Sequence, residues 1–245
     1  MHDPISHTLI HPDSLGDTLD AVNAALFERR PLSTAERSEA AAWIADRQGL
    51  PGSYAGMFAP TGYDYAFGAL TFTGESVHSG AATGHLLSEE ACRALFLLTD
   101  PQPEDDAALT ARQALKRARQ GIFRRLEASE AAGKEAGVYC CGTCSAALWR
   151  HLQVSGAASD LARLENGLSV LRRQRDGAGR WKRFPFYYTL LALSEIGLPA
   201  VREELAYAAP VAERALRRLI KAEPEDLSRH ERRRALLLQQ ALEKC

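Results

Sequence analysis

Three cysteines crowd into one short segment, Tyr139-Cys140-Cys141-Gly142-Thr143-Cys144, and thiols are the most reactive side chains the chain offers. Cys141-Gly-Thr-Cys144 has CxxC spacing at the expected start of a helix, where the helix dipole lowers a thiol pKa and makes a thiolate. Such a pair suits redox exchange or ligation of a soft metal; small thiols packed between helices account for the same letters. A redox domain of the usual kind needs a beta-alpha-beta setting, and zinc needs two further ligands. His151 follows Cys144 by seven residues, two helical turns deeper, and does not close the same site.

A second cluster gathers Trp181, Phe184, Phe186, Tyr187 and Tyr188 beside Arg180, Lys182 and Arg183, in a chain that is only 7% aromatic. Rings at this density form either a packed core under a solvated basic turn or an apolar wall with a cationic lip. Asp64, between Tyr63 and Tyr65, is the candidate acid, because an aromatic surrounding raises a carboxyl pKa and keeps its proton available. His78 and His85 flank a glycine-rich stretch with Ser76, Ser79 and Thr83, which raises a hydrolytic Ser-His pair, but a Gly-x-Ser-x-Gly elbow is missing. Glu104-Asp105-Asp106 after Pro103 reads as the acidic first turn of a helix. The basic runs at Arg124-Arg125, Arg214 to Lys221 and Arg229 to Arg234 alternate with acids and leucines, as solvated helix faces do.

These residues must be positioned mostly by helices. No proline interrupts the chain between Pro103 and Pro185. Leu15, Leu19, Val22 and Leu26 fall on one face of a helix over 15–28. Ser33 followed by Glu36 is a capping box that predicts a helix over 34–48. Further helices are expected over 89–98 with Ser88 as cap, 105–131, 142–154, 158–174, 186–196, 210–221 and 225–243. Tyr63 to Thr73 suits a short strand or an irregular buried loop, and the glycines of 74–84 predict a loop.

The 245 residues, 46% hydrophobic and 25% charged, describe a chain that buries a sizeable core, and a linker is not evident, so one domain over 1–245 is expected. Thirty basic against thirty-one acidic residues leave a net charge of −1, which gives no chain-wide pull toward nucleic acid or an anionic membrane. Apolar runs long enough for a membrane span, and a signal-peptide pattern at the start, are both missing; with an odd set of five cysteines this predicts a cytoplasmic protein with reduced thiols.

A period of about 42 residues runs through the sequence. Leu152 to Gly156 and Leu193 to Gly197 share a helix end followed by glycine, 41 residues apart, and residues 41–58 echo residues 168–185, with Gln48 and Gln174 126 apart. In each echo a helix ends in Arg-Gln, a glycine turn follows, and then an aromatic residue, Tyr54 or Trp181. Such a period means stacked helix pairs.

Gln174-Arg175-Asp176-Gly177-Ala178-Gly179-Arg180-Trp181 resembles the Gln-to-Trp turn of squalene and terpenoid cyclases, with one extra residue before the Gly-x-Trp. Phe186-Tyr187-Tyr188-Thr189 is similar to the aromatic-His-Thr helix start of protein prenyltransferase beta subunits. The resemblance implies an all-α fold, the alpha/alpha toroid of about five to six helical hairpins, here with one glycine-rich loop insertion. It also implies an apolar or isoprenoid small molecule as partner. Trp181, Phe184, Phe186, Tyr187 and Tyr188 would line the pocket, Lys182 and Arg183 would meet a diphosphate, and Asp64 and Tyr188 would stand at the reacting centre. The alternative is a non-catalytic toroid that holds a peptide. The family's zinc set adds to its Cys an Asp two residues earlier and the His of the later segment; here Tyr139 or Gly142 and Tyr188 occupy those positions. Zinc or magnesium is thus a cofactor expectation with an incomplete ligand set.

Overall fold

The computed structural model describes residues 8–77, 79–100, 106–223 and 225–245, and ten α-helices account for most of them. The all-α expectation holds. His78, Glu104 and Asp105 lie outside the described residues. The chain divides into two compact units, one of residues 1–69 and 78–125, the other of residues 70–77 and 126–245.

In the first unit α1 (Leu15–Phe27) and α2 (Thr34–Ala45) both pack on α4 (Gly80–Thr99). α1 buries Leu15, Leu19 and Val22 of the predicted face, while its fourth member, Leu26, is only half-buried. The Ser33–Glu36 capping box of α2 is formed on both sides. α4 starts nine residues before the expected 89, because Ser79 supplies the N-cap by accepting from the Ala82 N–H. Ser88, expected as that cap, sits buried in mid-helix and donates to the Phe58 carbonyl at 3.0 Å. The helix is buried on nearly every face, and two of its charged side chains meet Asn23 of α1, which donates to Glu90 at 2.8 Å and accepts from Arg93 at 2.6 Å. Part of 63–73, expected as a short strand or an irregular buried loop, is instead the short helix α3 (Gly62–Phe67). α5 (Asp106–Ala131) begins in this unit and runs past its limit at Arg125.

The second unit is a two-layered stack. α6 (Gly142–Ser155) packs on α7 (Ala158–Arg173) and on α8 (Phe186–Glu195); α8 packs on α9 (Ala200–Leu219) and on α10 (Arg229–Leu242); α7 also meets α9, and α9 meets α10. The sequence explains the layers. α6 and α8 are apolar around most of their circumference and are buried accordingly, whereas α7 and α9 each bury one stripe and expose charged residues on the other. α9 starts ten residues before the expected 210 and carries Pro210 inside it, on an exposed position where the missing N–H costs one backbone hydrogen bond. α10 starts at Arg229, not 225, because Ser228 and Glu231 form its capping box.

Close backbone approaches lock this stack. A Cβ on Gly142 would come within 2.2 Å of the Arg183 carbonyl oxygen, so only glycine lets α6 begin against the 183–184 backbone. The two short strands β1 (Ala69–Leu70) and β2 (Ser76–Val77) pair around the turn over 71–75; β1 lies in the stretch read as a short strand or irregular loop, and β2 in the stretch expected to be loop. That turn caps α8: the Glu75 carboxylate accepts from the Tyr188 N–H at 3.0 Å and from Thr71 Oγ1 at 2.6 Å.

The proposed repeat has a local counterpart. An isolated antiparallel bridge closes the turn after α2, Gln48 to Phe58, and another closes the turn after α7, Arg175 to Trp181. By this pairing the equivalent of Trp181 is the fully buried Phe58; Tyr54, four residues earlier, lies in a single 3-10 turn over Tyr54–Gly56.

Candidate functional site

The turn between α7 and α8 is built by Asp176, whose Oδ1 accepts from the N–H groups of Ala178 and Arg180 and from the Tyr207 hydroxyl at 2.7, 3.0 and 2.9 Å. These donors hold its carboxyl below the ordinary range, first through Ala178 and then through Arg180. Trp181 is folded inward, its Nε1–H donating to Glu204 at 2.8 Å and its ring stacked on Phe186 at 6.2 Å. Glu204 is 1% exposed and also receives Arg175 through two nitrogens, at 2.8 and 3.2 Å. Trp181 is therefore a structural member of the turn. Phe184 stacks on Trp149 at 5.4 Å, and Phe186 is buried.

Tyr188 is fully buried, with the Arg150 guanidinium 5.6 Å from its ring centre. Lys182 and Arg183 are exposed, Arg183 in the left-handed backbone region at φ 64°. Tyr187 is different: it is half-buried, the Arg234 guanidinium lies 4.6 Å from its ring centre, and it faces a cavity.

That cavity, of about 420 Å³, is lined by Arg180, Arg214, Arg218, Arg234, Glu231 and Tyr187 and by the apolar side chains of α9. Four guanidiniums face one carboxylate. Glu231 is engaged by its own capping box, with the Ser228 hydroxyl the first cause of a lowered pKa, and Arg234 Nε donates to the Thr73 carbonyl at 2.7 Å. Arg180 lies over the Phe186 ring at 4.5 Å. Among the described residues Arg214 and Arg218 have no carboxylate partner, so the site holds uncompensated positive charge able to take a phosphate or diphosphate. The sequence points to Tyr187 and Arg180; Arg214 and Arg218 are exposed, as expected for a solvated face, and line the cavity with half-buried Arg234. The available signal was the four-residue spacing of Arg214 and Arg218, which puts both on one face of α9.

Asp64 stands elsewhere, in the first unit, and caps helices. Its carboxylate accepts from the Ser14 hydroxyl at 2.7 Å, from the Leu15 and Gly16 N–H groups at 3.0 and 3.1 Å, and from the Thr61 N–H and hydroxyl at 2.7 and 3.0 Å. Both oxygens are occupied by the starts of α1 and α3, which corrects the expectation of a cavity acid. His85 is buried on α4 against the Tyr54 ring at 4.0 Å, and Ser79 serves as the cap of the same helix.

The three thiols form a real cluster. Cys141 is the N-cap of α6 and is exposed with Cys140, Cys144 occupies the third helical position and is fully buried, and the Cys140 and Cys144 sulfurs lie within 4.8 Å of each other. Cys141 is held well below the usual thiol range, first by hydrogen bonding from Cys140, then from Cys144, and less by the amides of Cys144 and Thr143, which reach it without an ordinary capping bond. Cys140 is pushed up to about 11 by its bond with Cys141. Cys144 is pushed far up by its bonds with Cys140 and Cys141 and by burial. The prenyltransferase zinc set does not assemble here: the His position is the buried Tyr188, and the Asp position is Tyr139 or Gly142.

Compared with protein family models, with characterised proteins and with solved structures, the chain matches none. Among the described residues no helix is long and apolar enough to cross a membrane.

Proposed function

We propose that this chain binds an amphipathic diphosphate, of the isoprenoid class, at the arginine-lined cavity of its second unit. The observation that carries the reading is the set of four guanidiniums, Arg180, Arg214, Arg218 and Arg234, around one cavity with Tyr187, Val211, Ala215 and Leu219 beside them. Guanidiniums recognise phosphate oxygens by paired hydrogen bonds, and the adjoining apolar side chains suit a hydrocarbon tail. The alpha/alpha toroid is the fold that goes with this proposal. It is supported by the alternation of buried and half-buried helices in the second unit and by the matching bridged turns after α2 and α7. Transfer or cyclisation of such a substrate rests on the sequence resemblance alone.

The competing reading is a toroid that holds a peptide, and one observation favours it. In the first unit Tyr63 and Phe67 stand exposed with ring centres 4.5 Å apart, Tyr63 on the rim of an open groove that also includes Pro12, Pro51 and Pro60. Native mass spectrometry of the full chain with farnesyl diphosphate, geranylgeranyl diphosphate and inorganic diphosphate separates the two. Retention of the prenyl diphosphates, weakened by Arg214→Ala with Arg218→Ala, supports the proposal. Indifference to all three overturns it and leaves the peptide reading.

A further inference from the structure

The thiol cluster belongs to neither reading, and its geometry is asymmetric in a way that packing does not require. Cys141 occupies the N-cap of α6 and is exposed; Cys144, three residues on, is fully buried one turn inside the same helix. Cys140, exposed, is in hydrogen-bonding contact with both. The segment is fixed: Ser145 Oγ donates to the Cys141 carbonyl at 2.7 Å and accepts from the Tyr139 N–H at 2.9 Å, while Trp149 Nε1 donates to the Gly137 carbonyl at 2.7 Å. Gly142, pressed on the Arg183 backbone, leaves the helix start no room to shift.

We propose that Cys141 and Cys144 are a dithiol–disulfide couple that reduces a small-molecule disulfide, with Cys141 as nucleophile, Cys144 as resolving thiol and Cys140 as a positioning residue that donates its S–H to Cys141. The Cys141 thiolate attacks one sulfur of the disulfide R–S–S–R′, forming a Cys141–S–S–R bond and expelling R′–S⁻. The Cys144 thiol gives its proton to R′–S⁻, and its sulfur then attacks Cys141, expelling R–S⁻ and leaving the Cys141–Cys144 disulfide. Two electrons pass from the couple to the substrate, and one thiol and one thiolate of the substrate leave. Exposure of the first sulfur and burial of the second impose this order, because of the two couple members Cys141 alone is exposed.

The test uses the full-length protein in glutathione redox buffers, with alkylation of remaining thiols and mass spectrometry to locate disulfides. The expected result is a Cys141–Cys144 disulfide that forms reversibly in the wild type and in Cys140→Ser, whose hydroxyl retains a donor. Cys144→Ser should instead accumulate a mixed disulfide of glutathione on Cys141. Iodoacetamide at pH 6 should label Cys141 about tenfold or more faster than an ordinary thiol, which is mostly protonated there. The proposal is overturned if Cys141 labels like an ordinary thiol and pairs with neither Cys144 nor glutathione. It is equally overturned if added zinc binds stoichiometrically, protects all three sulfurs, and is lost in Cys140→Ser, since the cluster is then a metal site.

Discussion

Glu204→Ala, on α9 beneath the Gln174–Trp181 turn, should destabilise the protein substantially. The carboxylate is 1% exposed and receives the Trp181 indole N–H at 2.8 Å and the Arg175 guanidinium at 2.8 and 3.2 Å, with Arg172 at 3.5 Å. Removing it strands the buried indole donor, a loss of about 1–3 kcal/mol. Breaking a fully buried ion pair costs about 3–5 kcal/mol, but Arg175 and Arg172 side chains are 29% and 47% exposed and regain water, so only roughly 1 kcal/mol is assigned to them. The sum is about 2–4 kcal/mol, or on the order of 5–15 °C in Tm for a chain of this size. Glu204→Gln keeps an acceptor for Trp181 and should lose only about half as much. Thermal unfolding followed by circular dichroism gives the ranking wild type, Glu204→Gln, Glu204→Ala. A Glu204→Ala protein within about 0.5 kcal/mol of wild type would refute the reasoning, because a buried carboxylate with these donors cannot be removed so cheaply.

Asp64→Ala leaves five donors at the starts of α1 and α3 without their acceptor and should cost about 2–4 kcal/mol in urea unfolding, with Asp64→Asn intermediate. An Asp64→Ala protein as stable as wild type would contradict the capping role. Acid should loosen the local caps: Glu36, lowered to about 2 first by its hydrogen bond with Arg30, contributes stability that is present above the ordinary carboxyl range and is lost as pH falls toward about 2. Asp176 and Glu231 are lowered likewise, so they act in the same direction. An acid titration in which Glu36→Gln retains the full wild-type pH dependence below pH 4 would contradict that assignment.

Much of the helical order was legible because capping chemistry is local. Ser33 with Glu36 fixed the start of α2, and the face of Leu15, Leu19 and Val22 is the buried one. The errors arose where two caps competed. Ser88 and Ser79 both precede apolar runs, and the sequence does not reveal that Ser88 would instead bond the Phe58 carbonyl, thirty residues away. The role of Asp64 is hidden in the sequence because its partners Ser14, Leu15 and Gly16 lie about fifty residues upstream. The arginine cavity joins the 178–180 turn, α8, α9 and α10, and only Tyr187 and Arg180 stood near enough in sequence to be linked. The thiol segment was legible as a motif, but the burial of Cys144 beside exposed Cys141 is a property of helix packing.

Isothermal titration of the full chain with farnesyl diphosphate bears on the proposed diphosphate site in the arginine cavity without intermediary steps. Arg214 and Arg218 are both exposed, so each guanidinium is credited with only about 1 kcal/mol, and together they correspond to a loss of roughly 30-fold in Kd. Saturable one-to-one binding is expected, weakened by about that factor in Arg214→Ala with Arg218→Ala and little changed in Lys182→Ala with Arg183→Ala. Equal affinity of all three proteins, or no heat of binding to the wild type, would contradict it.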